Sequence, residues 1–214
     1  MAEQQKGKQK DPMKRSLLYE VCRRLAWLLF HTFLPVRYEH VERLRVDPPF
    51  IVIGNHLSNL DPIVIALAIP KHQVHFLAKK ELAKVGIVRW FLGKLHAIYV
   101  DRHNSDMEAM RSCMKVTRNG GILGIFPEGT RHHQGLMEEI ESGVALMALR
   151  SGVPLIPVYI QGKLRLFRRL DVLIGEPIPM DDLRAEGVNA QTCQQLLTRI
   201  TQTYAEMAES KKKD

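Results

Sequence analysis

Cysteine is scarce: Cys22, Cys113 and Cys193 are the only three in 214 residues. They lie far apart, form no Cys-x-x-Cys pair and leave an odd count, which argues against a disulfide framework or a thiolate zinc site. A reducing, cytoplasmic compartment is expected. Long apolar runs are also missing, since nothing approaches the roughly 20 residues that span a bilayer. The short run Leu25–Phe30 is hemmed by Arg23, Arg24 and His31 and is followed by no small-residue cleavage site, so a cleavable signal is not expected. The chain has neither a Gly-x-Ser-x-Gly elbow nor a P-loop, which argues against serine hydrolases and NTPases. Asn119–Gly124 is glycine-rich but enters a strand instead of leaving one, so it reads as a turn and not as a dinucleotide fingerprint. His72/His75 and His132/His133 lack a third ligand at metal spacing, and no metal site is expected.

Apolar residues make up 45% of the sequence, enough for one full core and too little for two comfortable domains at this length. The formal charge of +8 favours an anionic partner, which could be a bilayer, a phosphorylated substrate or nucleic acid. The basic stretches lack the aromatic interleaving that binds bases, and no nucleic acid is expected.

Residues 1–13 are Lys- and Gln-rich and read as a disordered basic tail, as do residues 211–214. Residues 14–34 have a helical period that gathers Leu17, Leu18, Val21, Leu25, Leu28 and Leu29 on one side. Glu20, Arg23, Arg24 and His31 lie opposite, with Trp27 and Phe30 at the boundary. Such a helix suits an anionic membrane surface, its stripe packing on the domain core being the alternative. Within 35–210, β-rich runs alternate with helical patterns. Strands are predicted near Phe50–Gly54, Val74–Ala78, Ala97–Val100, Gly121–Phe126, Pro154–Ile160 and Leu170–Ile174. Helices are predicted over Pro62–Ile69, Ser105–Arg118, Gly143–Ser151 and Ala190–Glu209, the second with a Ser105/Glu108 capping box. The expected fold is a single α/β domain with a mixed, mostly parallel sheet flanked by helices, preceded by the amphipathic helix.

Four segments could carry chemistry. His56 and Asp61 flank a turn between a buried-looking strand and the helix opened by Pro62. A carboxylate at one imidazole nitrogen fixes the tautomer and stabilises the imidazolium formed when the ring takes a proton, giving a general base without a protein nucleophile. Helix capping is the alternative for Asp61 alone. Phe126-Pro127-Glu128-Gly129-Thr130-Arg131 follows another apolar strand; Gly129 permits converging N–H groups, Thr130 adds a hydroxyl and Arg131 a planar fork matched to phosphate. A charged Pro-x-Gly turn is the alternative there. Tyr99-Val100-Asp101-Arg102 supplies a second guanidinium, or an ordinary surface ion pair. Val153–Val158 carries Pro154 and Pro157, which places it at a sheet edge or along an acyl-chain groove, unless it is simple core.

In this order and spacing the motifs resemble the 1-acylglycerol-3-phosphate acyltransferases, within the wider glycerolipid acyltransferases. His-x-x-x-x-Asp followed about 70 residues later by Phe-Pro-Glu-Gly-Thr-Arg is specific, and the resemblance spans residues 14–180. It implies His56 as catalytic base, Asp61 as its orienting carboxylate, Glu128, Gly129, Thr130 and Arg131 as the acceptor-phosphate motif, and Arg102 as the basic residue of the Asp-Arg block. The implied reaction carries a fatty acyl group from acyl-CoA or acyl carrier protein, with no cofactor, to the 2-hydroxyl of lysophosphatidate. The implied location is the cytoplasmic face of a membrane, peripheral or monotopic. Three positions depart from the pattern: His132 replaces a Ser, Glu141 a Lys and His96 a Gly. Loss of the lysine charge keeps another lyso-lipid acceptor open, such as a lyso-ornithine lipid or lysophosphatidylglycerol. A catalytically silent lipid-binding module is the alternative from another class.

Overall fold

Phe50–Gly54 and Ile122–Ile125 are buried at every position, as expected of strands covered by helices on both faces. The computed structural model describes residues 17–100, 107–129, 136–137 and 139–212. Among these residues the sheet has seven strands: β1 (Val36–Glu39), β2 (Phe50–Gly54), β3 (Val74–Lys79), β4 (Ile98–Val100), β5 (Ile122–Ile125), β6 (Leu155–Gln161) and β7 (Leu170–Ile174). Their spatial order is β1-β7-β6-β2-β5-β3-β4. Every neighbouring pair is parallel except β6 and β7, which form an antiparallel hairpin.

Seven α-helices are described: α1 (Leu17–Phe33), α2 (Asp61–Ala68), α3 (Gly86–Lys94), α4 (Met107–Arg118), α5 (Ser142–Ser151), α6 (Asp181–Ala185) and α7 (Ala190–Ser210). Strand side chains alternate between two layers. Ile51, Ile53, Leu123 and Ile125 pack with α4, α5 and α7, whereas Phe50, Val52 and Ile122 pack with α1 and α2. The longest helix, α7, is started by a reciprocal capping box in which the Asn189 side chain accepts the Thr192 N–H and Thr192 returns the bond. The Ser105/Glu108 box falls on Ser105, outside the described residues. Lys211, expected at the start of the basic tail, is docked: its ammonium lies 2.9 Å from both Glu39 carboxylate oxygens.

One expectation is corrected. The proline-bearing strand β6 is not at an edge but lies between β2 and β7. Pro157 stands opposite Gly175, just past the end of β7, and its carbonyl accepts the Gly175 N–H at 2.9 Å, so the proline costs the sheet only one donor, at the end of the β6–β7 ladder. Gly175 makes room, since a Cβ there would sit 2.8 Å from the proline ring.

The amphipathic helix forms over Leu17–Phe33, and its apolar stripe does not pack on the core. Tyr19 and Phe30 face the domain, while Leu17, Val21, Leu25 and Leu28 are exposed. Among the described residues no helix is long and apolar enough to cross a membrane.

Candidate active site

Because β2, β5, β3 and β4 are parallel, their carboxyl ends share one sheet edge, where α/β folds place their sites. Leaving β2, the chain is pinned by the fully buried Asn55. Its amide donates to the Ile160 carbonyl at 3.0 Å and accepts the Ile160 N–H at 2.8 Å, continuing the pairing with β6 by one side chain. Tyr204 of α7 donates to the carbonyl of Ile53 at 2.8 Å. Complete burial pushes its phenol well above the ordinary range, so it remains a donor. The loop carrying His56 thus leaves a rigid base.

Asp61 is buried and opens α2, with Pro62 following, but its carboxylate does not cap that helix. Its Oδ2 turns back to accept the N–H groups of Leu57 at 2.6 Å and Ser58 at 2.7 Å, and lies 3.0 Å from His56 Nδ1. An ionised carboxylate only accepts, so Nδ1 carries the proton and Nε2 keeps its lone pair. The His56 ring lies on Phe126, with centroids 4.3 Å apart, and Phe126 stacks in turn on Phe76 at 5.9 Å. This file of rings depends on Gly124, where a Cβ would fall 2.3 Å from the Phe76 ring.

Glu128 is buried. Its two oxygens accept the main-chain N–H of His56 at 2.9 Å and that of Met137 at 3.0 Å, tying the β2 and β5 loops together. Gly129 takes φ +66°, and its Cα faces the Glu141 carboxylate: a Cβ there would lie 2.8 Å from Glu141 Oε1. The structure therefore brings His56, Asp61, Glu128 and Gly129 together. Arg102, Thr130 and Arg131 lie outside the described residues.

His56 opens onto a mostly apolar cavity of about 1500 Å³, walled by Phe76, Leu77, Met110, Met147 and Leu197, with Arg23 and Cys22 of α1 along one side. Sequence reasoning missed Phe126 as the platform of the histidine and Arg23 as a lining residue. Asn55, a polar residue at the end of an apolar strand, has its packing purpose in the Ile160 clamp. Among the described residues no three His, Cys, Asp or Glu side chains converge to hold a metal ion.

A conserved-domain comparison bears on this geometry: the Acyltransferase family profile matches residues 35–161, more than half of the chain. The chain belongs to the acyltransferase family. This acyltransferase is 30% identical over 170 residues to 1-acyl-sn-glycerol-3-phosphate acyltransferase of Bacillus subtilis, covering 77% of this chain and 84% of that one. With the enzyme of the same name from Streptococcus pneumoniae it shares 28% over 172 residues, covering 78% and 63%. The acyltransferase is similar in fold to the crystal structure of the 1-acyl-sn-glycerophosphate acyltransferase PlsC from Thermotoga maritima. The TM-score is 0.62 at 26% identity, over 90% of this chain and 78% of that one.

Proposed function

We propose that this acyltransferase moves a fatty acyl group from a thioester donor, acyl-CoA or acyl carrier protein, to the 2-hydroxyl of 1-acylglycerol-3-phosphate, giving phosphatidic acid. The observation that carries the reading is the 3.0 Å contact of His56 Nδ1 with the buried Asp61, at the mouth of an apolar cavity. Nε2 of His56 takes the acceptor proton as the hydroxyl oxygen attacks the thioester carbonyl, and the thiolate leaves. Asp61 holds the ring and offsets the imidazolium charge. No acyl-enzyme is required, because a thioester already carries a good leaving group. Phe126 and Glu128 fix the plane and the main chain of His56, so much of the acceleration comes from positioning.

Arg102, Thr130 and Arg131, with the Gly129 turn, are assigned to the acceptor phosphate. The donor has the cavity for its chain, and the exposed stripe of α1 is assigned to the cytoplasmic face of an anionic membrane. One observation favours a second acceptor: the Glu141 carboxylate against Gly129 opposes a phosphate dianion and suits a less anionic headgroup, such as that of a lyso-ornithine lipid. Competing acceptors against the purified enzyme, with thiol release as the readout, separate the two. Preferential use of lysophosphatidate is expected; equal efficiency with a phosphate-free acceptor counts against it.

A further inference from the structure

The hairpin between β6 and β7 has no role in the chemistry above, yet its composition is unusual. It reads Gly162-Lys163-Leu164-Arg165-Leu166-Phe167-Arg168-Arg169. Arg165 and Arg168 pair across the turn, and Leu166 and Phe167 form its tip. Those two are 61% and 68% exposed, among the most exposed large apolar side chains described. A soluble turn would carry Gly or Asn at the second central position, where φ is positive. Here a phenylalanine holds φ +55°, a conformation that costs an L side chain energy and is retained where the surroundings impose it. What imposes it is α1: the Phe167 N–H donates to the Phe33 carbonyl at 2.7 Å, and the two rings meet edge to face at 5.8 Å.

The position matters as much as the composition. Since β6 runs parallel to β2, its hairpin leaves the sheet at the edge that carries His56, and the carboxyl end of α1 reaches the same edge. The tip therefore stands at the carboxyl end of α1, the helix that carries the exposed Val21, Leu25 and Leu28, as a second apolar point flanked by the exposed Lys163, Arg165 and Arg168, while Arg169 pairs with Asp171 at 3.2 Å. Apolar tips flanked by cations match a bilayer whose headgroups are anionic, with the tip below the headgroups and the guanidinium groups at their level.

We propose that the β6–β7 hairpin is a second membrane-insertion element, acting with α1 as a two-point contact that sets the active-site edge against an anionic bilayer. The proposal rests on the reading that the acceptor is a membrane lipid, and its test separates the two. The double variant Leu166→Ser/Phe167→Gly removes the apolar tip and gives the strained position the residue it favours, so the fold is retained. Flotation with phosphatidylcholine vesicles containing phosphatidylglycerol should show membrane partition about tenfold weaker or more than wild type, from the buried apolar area lost. Turnover of a short-chain, monomeric acceptor should stay unchanged. Wild-type partition by this variant overturns the hairpin proposal while leaving the His56 chemistry standing. Loss of turnover on the monomeric acceptor together with a lowered unfolding temperature also overturns it, since the tip would then serve the fold. As an independent reading, Phe167→Trp in a Trp27→Phe/Trp90→Phe background should be quenched by brominated lipid; unquenched emission from bound protein contradicts insertion.

Discussion

A carboxylate that receives two main-chain N–H groups cannot become an amide without one donor facing another. Glu128 is in that position between His56 and Met137, and so acts on His56 through the backbone. Glu128→Gln should lower stability by roughly 1–3 kcal/mol, the cost of a buried unsatisfied donor. A urea midpoint reads that loss, and kcat should fall with it as the His56 loop loosens. Wild-type values of both would remove Glu128 from the account. Glu141 offers the complementary case, because its charge faces the Gly129 turn, proposed to hold the acceptor phosphate, without being bound up in the His56–Asp61 pair. Glu141→Lys should lower KM for a phosphate-bearing acceptor about fivefold, the scale of one partly exposed ion pair, with kcat little changed. An unchanged ratio between phosphate-bearing and phosphate-free acceptors would separate Glu141 from headgroup choice.

Elements hold these residues through close packing of rings on the sheet. At Gly124 any side chain enters the Phe76 ring, so Gly124→Ala should cost about 1–3 kcal/mol through overpacking. It should also reduce kcat, because Phe76, Phe126 and His56 shift as a stack; denaturation and steady-state rates measure the two effects. Element existence was readable where burial imposes a pattern: β2 and β7 occupy their predicted ranges, and α5 and α7 differ by a residue at one end. Edge strand β1 was not readable, because Val36-Arg37-Tyr38-Glu39 has only two apolar residues and half-buried positions. At β6 the edge reading fails and the core alternative holds, because Pro157 falls where the β6–β7 ladder ends and removes one donor there instead of breaking the ladder's middle. His56 and Asp61 were legible from spacing before Pro62, and His96 shows φ +56° at the position where the resemblance expects Gly. The capping alternative for Asp61 could be dismissed only by seeing its carboxylate turn back into the loop. The contribution of Arg23 had no sequence signal, since it sits on the charged face of α1 and reaches the cavity only through the packing of that helix.

On the scale of the whole molecule, the sheet brings His56 and the exposed tip of the β6–β7 hairpin to one edge, so the proposed base and the proposed membrane-facing surface share a side. The fold also carries a pH dependence. Burial lowers the pKa of His75 on β3, against the opposing hydrogen bond to the His96 carbonyl. Below about pH 6.5 the unfolded chain takes up a proton that the folded chain refuses until lower pH, so stability falls as pH drops through that window. His75→Asn keeps a nitrogen for the carbonyl and removes the titration; its unfolding midpoint should vary less between pH 7.5 and 5.5 than that of wild type, as measured by urea denaturation.

The base assignment is the claim on which the chemistry depends. With acyl-CoA and lysophosphatidate both saturating, thiol release by His56→Ala should fall by about 10²–10⁴ relative to wild type, the usual contribution of a positioned base. A folded His56→Ala enzyme that turns over at close to the wild-type rate would contradict it.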